Sequence, residues 1–559
     1  MIPTPEPVDV MGRFRLAVVA HPGRAAVVAV DGELTFAELD ARVDVVARVL
    51  RVAGVGRGSR VGVCLPRSAE LPVALLAIWR LGAAYVALDP VHPAHRLAFT
   101  VADAGVQVVY TDRPELGWAP AVVTVPPDGE GSTTPVPVGE HDVAYVLYTS
   151  GSTGSPKGVV VSRGGVAALL ASLERAGVYP AEPARVGWNA SMSFDASVQQ
   201  LIRVCRGDTI VLLGEQLRAD PPALAAFVRD HDLTELDVTP SHWAALRDDL
   251  GHGRPRLLMG GEPIPGDMWR ELASGPPAVN LYGPSECTVD ATAATVAGPR
   301  PHIGRPLPGV RAYVLDPRLR PVEDGELFVA GPGVAHGYVN RPGLTAQRFL
   351  PDVVARDGSR MYRTGDHVRW DADGNLVFLG RLDRQVKVRG HRIEPGEIEA
   401  VLAGLPEVTR AVVVTRGDAL VAYYTGTETP AHELREHLAR RLPAYMLPAA
   451  FAWVPEFPRT VSGKLDTDAL PGVESVGGPP VEGPVEELIA KVWSGVLGLD
   501  RVLADDDFFA LGGHSLVALK VVSRVRDHFG VVLPTKDVYR HPRLRDLAAH
   551  VARLSGGTS

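Results

Sequence analysis

Up to about residue 380 the chain alternates apolar runs of strand length with segments of helical period. "RVGVCLP" (60–66) reads as a buried strand, and "AELPVALLAIWRLGAAYVALD" (69–89) as a helix that leads into a strand. "AYVLYTSG" is a strand running into a glycine loop, while "DTIVLLG" (208–214) and "LTELDVTP" (233–240) are further strands. Strands alternating with helices predict an α/β architecture with parallel or mixed sheets. After Arg381 the pattern shortens. "QVKVRGHRIEPGEIEAVLAGL", "TRAVVVTRGDALVAYYTG" and "AHELREHLARRLPAYMLP" give a strand, a helix, two strands and another helix, a small α+β lid. "LPGVESVGGPPVEGP" (470–484) has no hydrophobic period and reads as a semi-flexible linker. From about 485 to 555, three segments place apolar residues at i, i+3, i+4, i+7, which predicts an all-α bundle of three to four helices. The expected boundaries are therefore 1–382 for the large unit, 383–472 for the lid, 473–484 for the linker and 485–555 for the bundle.

Composition narrows this picture. A chain of 559 residues exceeds one ordinary core, so two to four domains are expected. The formal net charge of −8, with basic and acidic residues well mixed, argues against a nucleic-acid binder. Cys64, Cys205 and Cys287 are far apart and odd in number, which supports neither a disulfide framework nor a paired metal motif. The opening "MIPTPEPVDVMGRFRL" lacks a basic segment followed by an apolar one, and no apolar run approaches the roughly 20 residues that span a bilayer. The expectation is a soluble cytoplasmic protein.

The candidate chemistry starts at "YTSGSTGSPKG" (148–158). Such a run suits neither a helix nor a strand interior, because glycine costs conformational entropy and Ser and Thr compete for backbone hydrogen bonds. It does suit an anion. Gly151 and Gly154 let successive N–H groups point to one side, Thr149, Ser150, Ser152 and Thr153 add hydroxyls, and Lys157 adds a mobile positive charge. The spacing is not that of G-x-x-x-x-G-K-[ST], so the residues alone leave two readings open, a phosphate cradle or an ordinary polar loop.

The segment resembles the phosphate loop of the adenylate-forming superfamily, which includes acyl-CoA synthetases, luciferases and the adenylation domains of nonribosomal peptide synthetases. The remaining motifs follow in order: "LTFAEL" (34–39), "LGAAYVALDP" (81–90), "FDAS" (194–197), "NLYGPSE" (280–286), "GELFVAGPGVAHGY" (325–338), "YRTGD" (362–366), "GRLDRQVKVRGHRIEPGEIE" (380–399), "LPAYMLP" (442–448) and "SGKLD" (462–466). The resemblance covers about 35 to 470 and implies an adenylation domain, with a large subdomain and a lid. In that chemistry a substrate carboxylate attacks the α-phosphate of ATP and pyrophosphate leaves, so cations and donors must bring two anions together. The resemblance implies that Lys464 bridges the carboxylate and the α-phosphate, that Glu286 helps to hold Mg²⁺, and that Asp366 accepts from the ribose hydroxyls. Tyr282, flanked by Asn280 and Gly283, is expected to stack on adenine, and "GGEP" (260–263), hence Gly261, Glu262 and Pro263, to line the adenine pocket. Arg381 is expected to touch ribose or phosphate. Asp383 falls at the hinge about which family members turn the lid, with Lys464 delivered in one pose and Lys387 and Arg389 belonging to the other. The plain alternatives are a solvated turn lysine for Lys464, a core tyrosine for Tyr282 and a surface ion pair for Arg381.

In the tail, "DDFFALGGHSL" (506–516) resembles the attachment site of peptidyl or acyl carrier proteins, which marks Ser515 for a phosphopantetheine arm added by a separate phosphopantetheinyl transferase. A tethered thiol would be held at high effective concentration. The alternative is an ordinary N-cap serine.

Asp195 in "FDAS" resembles the aspartate that holds the α-ammonium of an amino acid. Carrying the family's pocket positions across gives Asp195, Ala196, Gln199, Asp237 and Leu258, then Gly260, Leu281, Val289, Asp290 and Lys464. Buried polar groups need partners, and a primary amide both donates and accepts without a charge to desolvate. The set is similar to that of glutamine-activating domains. Glutamate is the nearest competitor, and asparagine is one methylene short. The implied function is ATP-dependent activation of an amino acid, L-glutamine first, and its transfer to the chain's own carrier. The alternatives are an acyl-CoA-synthetase-like ligase and a non-catalytic carrier scaffold. No H-H-x-x-x-D-G condensation motif and no G-x-S-x-G thioesterase motif occurs, so a downstream condensation or tailoring enzyme is an expected partner, and an MbtH-like protein is a further family possibility.

Overall fold

The structure, a computed structural model, describes residues 9–556 apart from 127–132, 152, 153, 219, 418, 461–464, 473–478, 498, 500, 510, 512, 514, 532 and 534. The chain forms two compact units. One holds residues up to 150, 156–214 and 225–392, and the other holds 151–155, 215–224 and 393 onward.

In the first unit the predicted alternation builds two mixed sheets. In the nine-stranded sheet Glu235–Val238 lies between Arg185–Trp188 and Arg256–Met259, and Ala278–Tyr282 continues the parallel run. These strands are almost wholly buried, which is why they read as unbroken apolar runs rather than alternating ones. In the seven-stranded sheet Arg60–Cys64 lies between Ala84–Ala87 and Val108–Thr111. Val143–Thr149 joins that sheet parallel to Ala84–Ala87 and pairs antiparallel with Lys157–Ser162, with Thr149 opposite Lys157. The "LTFAEL" motif has a local cause: Thr35 and Glu38 close a capping box at the start of the helix Phe36–Val52.

The alternation does not continue to residue 380. From Arg311 to Arg381 the chain folds into a third, antiparallel five-stranded sheet, with the short helix Pro342–Arg348 as its main interruption. Its long strand Arg360–Trp370 is mostly buried on one face, which carries Tyr362, Thr364, Asp366 and Val368, and part-exposed on the other, the signature of a sheet covered on one side. This pairing places Asp366 opposite Arg381.

In the second unit the expected hairpin Val408–Arg416 and Ala419–Gly426 gains a strand, Ala450–Trp453, parallel to its second member. That four-residue strand is only partly buried and left no periodic signal. Four helices, Pro484–Leu497, Ser515–Phe529, Thr535–Arg540 and Leu544–Gly556, enclose a core around Trp493, Phe508, Val521 and Leu547. Arg435, on the helix Ala431–Ala439, is buried and reaches Asp507 at 3.0 Å, the carbonyl of Ala449 at 3.0 Å, and the ring of Phe509 at 5.1 Å.

One glycine joins two motifs. A Cβ on Gly283 would lie 2.0 Å from the carbonyl oxygen of Val289 and 2.8 Å from the Cα of Asp290. Gly283→Ala is therefore expected to cost on the order of 3 kcal/mol, since the clash is with backbone and cannot be relieved by a rotamer. Calorimetric unfolding checks this; an unchanged transition would show that the turn yields.

Candidate active site

The side chains marked in the sequence converge at the carboxyl ends of three neighbouring parallel strands. Asp237 and Leu258 are cross-strand partners, Leu258 pairs in turn with Val279, and Leu281 is the last residue but one of that next strand. Asp195 precedes the short helix Ala196–Leu201, caps none of its N–H groups, and has Gln199 one turn on. Parallel sheets leave their binding crevice at this edge. Thr288 and Val289 take φ of 58° and 71°, left-handed values that β-branched residues avoid. Two such residues in succession store about 1–3 kcal/mol each. Thr288 is held there by its hydroxyl, which donates to the carbonyl of Gly333 at 2.6 Å, and the strain aims Asp290 inward. Nothing in the sequence marks this turn, because it contains no glycine at either position.

The pocket is rich in buried polar atoms without partners. Gln199 Nε2, Asp237 Oδ2 and Asp290 Oδ2 are sealed from solvent and have no hydrogen-bond partner, and the same holds for the hydroxyls of Tyr145 and Tyr179. Asp237 as a residue is only half-buried, yet its Oδ2 is covered. Burial pushes the Asp237 carboxyl up to about 7, against the pull of the Gln200 amide and the Arg203 guanidinium. Burial also pushes Asp290 up, aided by the nearby charges of Asp237 and Asp195. Asp195 is raised by burial and held back by the Ser285 hydroxyl. The Tyr145 phenol is raised by burial and by Tyr85, Asp195 and Asp290, and that of Tyr179 by burial, with Asp290 and Asp237 adding to it. Tyr145 and Tyr179 were missed by the sequence reading. Tyr145 shares a strand face with Thr149 by the period of two, the one signal available.

On the nucleotide side, Asp366 accepts from the Tyr282 hydroxyl and, at 2.6 Å, from Arg381 Nη1. Arg381 also grips Asp383 through Nε at 2.7 Å and Nη2 at 2.8 Å, and Arg348 adds a contact at 3.5 Å. Burial would raise the Asp383 carboxyl, but Arg381 holds it below the usual range. A carboxylate can accept about four hydrogen bonds, so Asp366 keeps capacity for further donors. Thr149 Oγ1 is buried without a partner. Ser150 Oγ donates to the carbonyl of Arg392 at 2.8 Å. Asn280 is committed to the carbonyl of His302 at 2.9 Å, and Glu262 accepts from the N–H and hydroxyl of Ser241, so both brace the local fold. Gly261 and Gly154 take φ of +83° and +86°, Pro263 is exposed, and Ala196 opens the pocket helix. Gly260 lies against the Leu281 carbonyl, where a Cβ would sit at 3.1 Å. Lys387 Nζ lies 5.6 Å from the centre of the Tyr282 ring. Lys464, Ser152 and Thr153 lie outside the described residues.

Lys157, expected as a mobile charge, is instead buried. It lies 3.3 Å from Glu286 and 4.7 Å from the centre of the Tyr338 ring. Glu286 is fully buried, accepts from Tyr338 at 2.7 Å, and meets Arg392 at 2.6 Å. Burial alone would raise this carboxyl; Arg392 and Lys157 together hold it well below the usual range. Tyr338 and Arg392 were not singled out in the sequence, although both sit inside quoted motifs. Among the described residues no group of three or more His, Cys, Asp and Glu side chains could hold a metal. A magnesium ion at Glu286 fits this donor set, because Mg²⁺ takes one or two carboxylates and completes its shell with phosphate and water.

Ser515 is the first residue of the helix Ser515–Phe529, where the sequence placed it. All three cysteines are buried, and burial pushes the thiols of Cys64 and Cys205 up to about 11 and about 12. Buried thiols of this kind are poor nucleophiles, because the thiolate is the reactive form. No described helix is long and apolar enough to cross a membrane.

Comparison with known proteins agrees with this geometry. Residues 14–339 match the AMP-binding enzyme family, 397–464 the AMP-binding enzyme C-terminal domain, and 487–551 the phosphopantetheine attachment site. The chain belongs to the AMP-binding enzyme family, as an adenylation domain followed by a carrier domain, and the cofactors of that class are ATP, Mg²⁺ and phosphopantetheine. It is 41% identical over 97% of its length to the probable non-canonical nonribosomal peptide synthetase CymA of Salinispora arenicola, and 40% identical over 95% to the phosphinothricin tripeptide synthetase PhsC of Streptomyces viridochromogenes. It spans 7% of the first protein and 52% of the second. It also matches holo-PA1221, a nonribosomal peptide synthetase protein containing adenylation and PCP domains bound to a vinylsulfonamide inhibitor, with a TM-score of 0.81, 26% identity and 98% coverage of both chains.

The raised Asp237 predicts a pH effect on the ligand-free protein. Between the ordinary carboxyl value of 3.8 and about 7 the unfolded chain has lost this proton and the folded chain keeps it. Stability therefore falls as pH rises through that window, by at most ~1.4 kcal/mol per unit, and levels off above it. Melting temperatures should drop over this range in the native chain and drop less in Asp237→Asn; parallel curves would refute the assignment.

Proposed function

We propose that this chain activates L-glutamine as its adenylate with MgATP and passes the acyl group to its own carrier. What carries the reading is the match between the partnerless pocket atoms and one functional group. Asp237 Oδ2 and Asp290 Oδ2 accept, and Gln199 Nε2 donates. A primary amide offers two N–H donors and a carbonyl acceptor, so each of the three atoms gains a partner. An ammonium side chain would satisfy the aspartates but oppose the Gln199 donor. A glutamate carboxylate would meet both aspartates, and only their protonated forms could donate to it. Asp195 stands at the mouth of the pocket to hold the α-ammonium.

In this reading Asp366 takes the ribose hydroxyls, Tyr282 and the 260–263 segment bound the adenine, Arg381 ties Asp366 to Asp383, and Thr149 with the glycine loop meets the phosphates. Glu286 provides the protein's carboxylate to the metal, and Lys464 neutralises the charge that builds where carboxylate and α-phosphate meet. The phosphopantetheine arm on Ser515 supplies the thiol that takes the acyl group. A phosphopantetheinyl transferase is then an obligatory partner, and a downstream condensation or tailoring enzyme receives the product. The reading includes the lid, linker and carrier boundaries at 383–472, 473–484 and 485–555.

ATP–pyrophosphate exchange across the proteinogenic amino acids is expected to be fastest with L-glutamine, with L-asparagine weaker by about 10–200-fold for its missing methylene. Lys464→Ala is expected to abolish exchange, and intact mass after treatment with a transferase and coenzyme A should place one arm on Ser515. Exchange with fatty acids alone would favour a ligase, and exchange with no acid a scaffold.

A further inference from the structure

Two charges that MgATP chemistry calls for are already met by the chain's own residues. Both oxygens of Glu286 are engaged: one by Arg392 at 2.6 Å, the other by Tyr338 at 2.7 Å and Lys157 at 3.3 Å. A magnesium ion binds its oxygens at about 2.0–2.1 Å and would stand against the guanidinium, cation facing cation. Glu286 can therefore serve Arg392 or a metal, but not both at once. A short way along the chain from Arg392, Glu397 is buried and its Oε2 accepts the N–H of Gly151 at 3.1 Å. That N–H belongs to the glycine loop, so a carboxylate oxygen sits where the loop would bind an anionic oxygen.

The hairpin that carries Arg392 is built for close approach. Its strands, Val386–Val388 and His391–Ile393, have three residues each, and its turn takes left-handed φ at Arg389 (52°) and Gly390 (80°). A Cβ on Gly390 would lie 2.5 Å from the Thr239 methyl, so the turn sits flush beside the end of the strand that carries Asp237. So short a hairpin is held mainly by its side chains: Arg392 also binds Gln385 at 2.7 Å and reaches Tyr362 at 3.5 Å, and His391 packs on Phe194 at 4.8 Å.

We propose that Arg392 and Glu397 are placeholders, Arg392 standing in for the magnesium ion at Glu286 and Glu397 for a pyrophosphate oxygen at the glycine loop. The proposal rests on the reading of Glu286 as the metal carboxylate. Arg392 is then a positioning residue. When metal and leaving group depart, it keeps a fully buried carboxylate neutralised, and the pair raises the barrier to pyrophosphate returning and reversing the activation.

The test is direct binding of Mn²⁺ with inorganic pyrophosphate to the full chain, read by the electron paramagnetic resonance of free Mn²⁺ and by calorimetry. Removing a competitor tightens binding, whereas mere structural damage weakens it. Arg392→Gln and Glu397→Gln are each expected to lower the dissociation constant at least about fivefold. Arg392→Lys, which keeps the charge, should stay near the native value. Glu286→Gln should abolish the Arg392-sensitive part. If Glu286→Gln leaves Mn²⁺ binding intact, the metal reading of Glu286 fails. If it removes binding, yet neither Arg392→Gln nor Glu397→Gln tightens it, the placeholder proposal alone is overturned.

Discussion

A carboxylate with no access to water is tolerable only when cations and donors surround it, and Glu286 imposes that condition on the first unit. Lys157, Tyr338 and Arg392 come from three separate stretches of chain to meet it. Each brings its own segment: the strand after the glycine loop, the end of "GVAHGY", and the hairpin after Asp383. The motifs of this chain are thus held in one place by a shared electrostatic obligation as much as by sheet packing.

The substrate side follows the opposite rule. There, Gln199 Nε2, Asp237 Oδ2 and Asp290 Oδ2 are buried without a partner from the protein, which costs energy until another donor or acceptor meets them. Burial pushes the Asp237 and Asp290 carboxyls toward their neutral forms, and Asp290 follows directly on the strained Thr288–Val289 turn. One half of the site is thus satisfied by the protein's own groups, and the other is not.

How far the sequence could be read depends on the range of the interaction. Local signals carried through: the strand runs of the parallel sheets and the three longer tail helices, one of them beginning at Ser515, follow the periodicity of the sequence. Asp195, Gln199, Asp237 and Asp290 entered through the family resemblance alone, since no periodicity or spacing marks them. What escaped was set by contacts distant in the chain. Lys157 was expected to be a mobile charge because a lysine beside a polar loop is ordinarily solvated, and its partner Glu286 lies 129 residues further along the chain. Arg392 meets Glu286 across 106 residues, a pairing without any periodic trace. The antiparallel sheet after Arg311 was missed because half-exposed strands blur the apolar signal, and Ala450–Trp453 because four residues are too few to show one.

The contact between Gly283 and the Val289–Asp290 backbone reaches beyond stability. It sets the turn after Tyr282 directly against the main chain of Val289 and Asp290, the residues proposed to line the amino-acid pocket. A descendant with a different preference must therefore exchange side chains on an unmoved main chain. Such a pocket behaves as a socket with interchangeable pins, and transplanting the pins alone should carry a preference from one relative to another.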